Sequence, residues 1–179
     1  MNPVTPVIGT ISNDGRVAIT QHSIDQKGLT FVKNEEGEVT HVYKDQVGKD
    51  TIGIGHLITP LEAARKAILI NRVPIDYTKG LTEAQCYQLL DQDMDNAERA
   101  INTFVKVALN ENQFDALASW TFNCGVGALQ SSTLLRILNQ GDYGSVPAEF
   151  NKWTKADGQT CPVLVGRRKR EVQLWLGQI

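Results

Sequence analysis

The sequence predicts an α+β protein. A small N-terminal lobe of one helix and a β-hairpin comes first, then a larger all-helical lobe. One long helix joins them, with a cleft between. Three observations carry this prediction. Glycine alternates with β-branched residues in TIGIG, from Thr51, behind a loosely alternating run at 38–44. A capped periodic stretch extends from about residue 82 to 104. From Asn112 onward every periodic segment has helical spacing.

Taken in order, residues 1–23 lack periodicity and are punctuated by Pro3, Pro6, Gly9 and Gly15. They read as an irregular arm with a short strand at Val17–Thr20, outside a domain of residues 24–179. SIDQKGLTFVKNEE predicts a first helix with Ser23 as N-cap. Gly28 weakens it by about 1 kcal/mol relative to alanine. Val39, Val42 and Tyr43 predict a strand, DQVGKD a turn around Gly48, and TIGIG a second strand. LEAARKAIL predicts a short helix and VPIDYTKG a loop, closing a small lobe of about residues 24–80.

Thr82 with Gln85 forms a capping box at the head of the linking helix, about 82–104. Tyr87, Leu90, Met94, Ala97, Ile101 and Phe104 recur at spacings of three and four on one face. The helical lobe, about 105–179, then holds four predicted helices. These are an all-round apolar one at 112–123, one at 132–140 capped by Ser132 and Gly141, one from Ser145, and GRRKREVQLWL. ADGQTCP reads as a loop.

The chain has 179 residues, 41% hydrophobic content and a formal net charge of −2. That is enough for one core, and it gives no electrostatic argument for nucleic acid as a partner. Cys86, Cys124 and Cys161 are far apart and odd in number, so they read as free thiols with no zinc spacing and no metal site. No segment has the length of an apolar membrane span, so stable membrane insertion is not expected. The first residues lack the pattern of a secretory signal peptide.

The stretch from Glu35 to Leu57 gathers acids and a threonine around one hairpin. Glycoside hydrolysis uses two carboxylates flanking the scissile bond, one to protonate the leaving oxygen and one to activate water. Glu36, at the end of a helix, suits the acid. Asp45, in a hydrated turn, suits the base. Thr51 suits a hydroxyl that orients water. Glu35, Glu38 and Asp50 are acidic neighbours that this argument alone does not exclude.

Eight residues separate Glu36 from Asp45, and five separate Asp45 from Thr51. Gly37 follows the glutamate, YKD precedes the turn and TIGIGH follows it. This resembles the bacteriophage lysozymes, or endolysins, of glycoside hydrolase family 24. KGLTFVKNEEG, LTEAQCYQLLDQD, the run from LNENQFDALASW to LRILNQGDY, FNKW and VGRRKREVQLW resemble family segments in the same order, over about residues 24–176. Glu35 departs from the pattern, standing where the family usually has an apolar or aromatic residue.

The resemblance implies a muramidase that hydrolyses the β-1,4 bond between N-acetylmuramic acid and N-acetylglucosamine in peptidoglycan and lyses the host cell. It selects Glu36 over its acidic neighbours and implies Glu36, Asp45 and Thr51 as catalytic. Leu57, Phe122, Ser132 and Thr133 match substrate-binding positions. For Phe122 the plain alternative is a core aromatic, and for Ser132 and Thr133 a helix cap. His56 is implied to support the site structurally, and Arg167 or Arg168 to pair with Glu36. The remaining bases of RRKR read as a solvated face that could attract an anionic wall.

No cofactor or metal is implied. The implied partner is the peptidoglycan glycan strand, met by a monomer. The protein is expected to be made in the host cytoplasm and to reach the periplasmic wall through a separate holin. Two other readings fit the same cleft: a lytic transglycosylase, which would need no aspartate base, and an inactive wall-binding module.

Overall fold

The computed structural model describes residues 22–45, 48–156 and 158–179. The strand expected at Val17–Thr20 lies outside them, as do two residues of the DQVGKD turn. The chain divides into two compact units, Leu29–Asp95 and the residues up to Gly28 together with Asn96–Ile179.

In the first unit, α1 (Gln26–Glu36) leads into a three-stranded antiparallel sheet, β1 (Val39–Lys44), β2 (Asp50–Gly53) and β3 (His56–Leu57), in that order. TIGIG is therefore not one strand. Gly53 and Gly55 take φ of 68° and 74°, a region that favours glycine, and the chain reverses there to lay β3 against β2. The helix cap also differs from expectation. Asp25, not Ser23, accepts the Gly28 amide at 2.9 Å, three residues on.

The predicted helix at LEAARKAIL is cut short. α2 (Pro60–Arg65) opens with a capping box between Thr59 and Glu62 and ends where Lys66 adopts φ 53°. The next residues form a hairpin, β4 (Ile68–Ile70) with β5 (Val73–Ile75), turning through Asn71 and Arg72 at positive φ. Ile68 and Ile70 are buried, so the alternate residues of β4 supply core. A single 3-10 turn at Tyr77–Lys79 follows. Val32, Ile52, Ile54, Leu89, Leu90 and Met94 complete this unit's core.

α3 (Glu83–Phe104) begins as predicted. The Thr82 amide donates to Gln85 Oε1 at 2.8 Å, and the Gln85 amide to Thr82 Oγ1 at 3.2 Å. Its buried face is Cys86, Leu89, Leu90, Met94, Ala97 and Ile101, while Tyr87 and Phe104 are only half-buried.

The second unit centres on α4 (Glu111–Cys124), which packs against α8 (Pro162–Trp175). Nine consecutive α4 residues, Gln113 to Thr121, are buried. Trp120 meets Phe150 and Trp153 edge-on at 6.2 and 5.1 Å, and Phe150 meets Trp175 at 5.8 Å. Three short helices, α5 (Val126–Ser131), α6 (Thr133–Leu138) and α7 (Val146–Phe150), lie between. α5 was not predicted, and ADGQTCP holds a small hairpin, β6 (Lys155–Ala156) with β7 (Gln159–Thr160). Among the described residues no helix is long and apolar enough to cross a membrane.

Candidate active site

The unit Leu29–Asp95 contains Glu36, Asp45 and Thr51 together. Glu36 is the last residue of α1, where the Gly37 amide donates back to the Lys33 carbonyl at 2.8 Å and Gly37 takes φ 77°. That left-handed residue ends the helix and sends the chain into β1. The Lys33 ammonium reaches forward across the same corner to Glu38 at 2.7 Å. The half-buried Glu36 side chain lies against Gly55.

Asp45 opens the β1–β2 turn. Its amide donates to the Lys49 carbonyl at 2.9 Å, and its Oδ1 accepts the Lys49 amide at 2.8 Å. The turn is thus tied at its base by the aspartate itself, an Asx-type contact. Thr51, 2% exposed, sits in the middle strand. Tyr43 of β1 pairs with it on one side and Leu57 of β3 on the other. Its hydroxyl donates to the Lys49 carbonyl at 3.3 Å.

Tyr43 lies in the electrostatic field of both acids. Burial, and then the negative charges of Glu36 and Asp45, hold its phenol above the ordinary value of 10.0. Both carboxylates therefore act on one ring, opposite Thr51. Two of the three acidic neighbours form ion pairs. Glu38 pairs with Lys33, and Asp50 pairs with Lys44 at 2.8 Å. Tyr43 was not singled out from sequence; its position two residues before the aspartate is a signal that could have found it.

Leu57 is 46% exposed on β3, next to Thr51 in register. His56, beside it, has its Nδ1 2.8 Å from Asp93 and its Nε2 3.4 Å from Glu62. It ties β3 to α3 and α2. Burial lowers its pKa, but Asp93 and Glu62 together outweigh that, and the net shift is upward.

The other expected site residues belong to the second unit. Phe122 is half-buried near the end of α4. The Ser132 hydroxyl donates to the Leu129 carbonyl at 2.8 Å and accepts the Leu135 amide at 2.9 Å, so it is a helix cap. Thr133 follows it and is exposed.

The basic run is not a solvated face throughout. Arg167 and Arg168 are 4% and 0% exposed, and only Lys169 and Arg170 face solvent. Glu171 Oε1 accepts from Arg167 Nε at 3.1 Å, Arg168 Nη2 at 3.0 Å and Ser119 Oγ at 2.9 Å. Arg168 also donates to Asn123 at 2.9 Å and to the Cys124 sulfur at 3.0 Å. The charges sit inward because α8 brings Glu171 to them and α4 supplies further acceptors. All three cysteines are free, and burial pushes the Cys86 thiol up to about 11.

A helix-and-hairpin unit followed by a helical unit is a lysozyme-like arrangement. Residues 33–171 match the phage lysozyme family, and the chain belongs to it. The endolysin of Salmonella phage P22 is 39% identical over 153 residues, covering 86% of this chain and 97% of that protein. A mutant P22 lysozyme crystal structure superposes with TM-score 0.74 at 35% identity, over 87% of this chain and 99% of the other. The muramidase domain of SpmX from Asticaccaulis excentricus superposes with TM-score 0.71 at 29% identity, over 87% and 99%. Family membership makes the chain a muramidase that hydrolyses peptidoglycan.

Proposed function

We propose that this endolysin cleaves the N-acetylmuramic acid to N-acetylglucosamine bond with Glu36 as general acid, Asp45 as general base and Thr51 as the residue that orients water. What supports this reading is that Glu36 closes α1 against Gly55, while Asp45 opens the turn between the paired strands β1 and β2, the second of which carries Thr51. Glu36 would protonate the glycosidic oxygen. Asp45 would take a proton from water as it attacks the anomeric carbon, and Thr51 would restrict that water to one approach. Exposed Leu57 gives a sugar an apolar contact beside them, and Phe122 and Thr133 would add contacts from the helical unit.

The protein would work as a monomer on the periplasmic wall, admitted by a separate holin. That part of the reading rests on family membership.

The test is turbidity loss of outer-membrane-permeabilised Gram-negative cells, wild type beside Glu36→Gln, with end-group analysis of the released fragments. Lysis with new reducing ends, abolished in the variant, is expected. Anhydro ends would instead make the enzyme a lytic transglycosylase. Wall binding without lysis by folded wild type would make it a binding module.

A further inference from the structure

Sequence spacing predicts no metal site, yet the fold brings together three acids from distant parts of the chain. Asp25 caps α1, while Glu111 and Asp115 lie in the first two turns of α4. One carboxylate oxygen of each lies within 4.8 Å of the others. We propose that Asp25, Glu111 and Asp115 bind a hard divalent cation of the calcium class, tying the start of α1 to the start of α4.

The spread of the oxygens suits the ion. Calcium takes oxygen ligands at about 2.3–2.6 Å, so ligands on opposite sides stand about 4.6–5.2 Å apart. An all-carboxylate set favours such an ion over zinc or copper. Asp25 is exposed and Glu111 half-buried, which leaves room for water to complete the coordination.

Asp115 gives the second, independent reason. Its side chain is 0% exposed, and its Oδ2 has no hydrogen-bond partner among the described residues. Oδ1 receives only the Asp25 amide, at 3.4 Å. A buried carboxylate with a single long hydrogen bond is unfavourable and calls for a proton or a cation. Neither nearby basic group reaches Asp115 among the contacts of the described residues. Lys27 Nζ donates to Asn112 at 2.7 Å, and His22 Nε2 stands 3.0 Å from Glu111. Space for the carboxyl is secured by Gly28, where a Cβ would lie 2.6 Å from Asp115 Cγ.

The experiment titrates the metal-stripped full chain with calcium chloride near pH 8 by calorimetry. Thermal unfolding is followed in parallel against sodium chloride of equal ionic strength. One site per chain is expected, with Tm raised by several degrees at millimolar calcium. Asp115→Asn should abolish the effect. Glu111→Gln, at the half-buried edge, should weaken binding about tenfold or more, and it serves if Asp115→Asn does not fold. No heat and no Tm shift, or an undiminished shift in the variants, overturns the proposal and leaves Asp115 a protonated buried carboxyl. None of this depends on the muramidase chemistry.

Discussion

Gly55 and Glu36 touch without a side chain between them: a Cβ built on Gly55 would lie 3.4 Å from Glu36 Oε2 and 3.6 Å from its Cγ. The turn between β2 and β3 thus forms one wall beside the carboxyl. Gly55→Ala would add a methyl at that wall and place alanine at φ 74°. The backbone cost is about 1–2 kcal/mol. The methyl itself would sit in ordinary contact with the carboxyl, so it is the strained turn that would shift this wall and disturb the position of Glu36. We expect activity to fall at least tenfold, more than the drop in Tm explains. Lysis rate and Tm measured on the same preparation check this.

Gly28→Ala sets two effects against each other. Alanine is favoured over glycine within a helix by about 1 kcal/mol. Here the new methyl would lie 2.4 Å from Ile24 Cγ1 and 2.6 Å from Asp115 Cγ, both on buried residues. Overpacking of this kind costs about 1–3 kcal/mol and should win. Urea denaturation would show a net loss of stability, and a net gain would contradict the packing described.

His56 makes stability depend on pH. Its folded-state pKa lies above the ordinary 6.5, so the folded chain binds a proton that the unfolded chain releases first. The resulting stabilisation is fully present below about pH 6.5 and is lost as pH rises through the folded-state pKa. His56→Ala should cost about 1–3 kcal/mol at pH 5.5, from charged hydrogen bonds to Asp93 and Glu62, and less at pH 9. Denaturation at the two pH values gives the difference. An equal loss at both would mean the imidazole contributes by packing alone.

Glu171→Gln tests the buried charges of α8. Glu171 is 0% exposed between two arginines, with Arg168 Nε 2.8 Å from Oε2 as an ion-pair contact. Burial pushes its carboxyl up and the guanidiniums pull it back. Neutralising it would leave two buried cations without their counter-charge, at a cost of about 3–5 kcal/mol. Neutralising Glu111, which is half-buried beside His22, should cost far less. Chemical denaturation of the two variants side by side checks the contrast.

The part of the site that was legible in sequence is the part made by neighbours along the chain. Glu36, Asp45 and Thr51 fall within one helix end and one hairpin, so their separations in sequence translate directly into positions on adjacent strands. The β4–β5 hairpin was not legible. LEAARKAIL is rich in helix formers, and the turn uses Asn71 and Arg72 at φ 50° and 67° where glycine would have marked it. Burial of Ile68 and Ile70 overrode local preference there.

Local pattern therefore determined the α+β class, the capping of α3 and the order of acid, acid and hydroxyl. Such features depend on periodicity and on contacts a few residues apart. Tertiary structure decided which charges are buried. Arg167 is covered by Ser119, 48 residues earlier, Arg168 by Asn123 and Cys124, and Asp115 by the start of α1. Burial depends on partners that are distant in the chain, and a run of four bases carries no trace of which two will be covered.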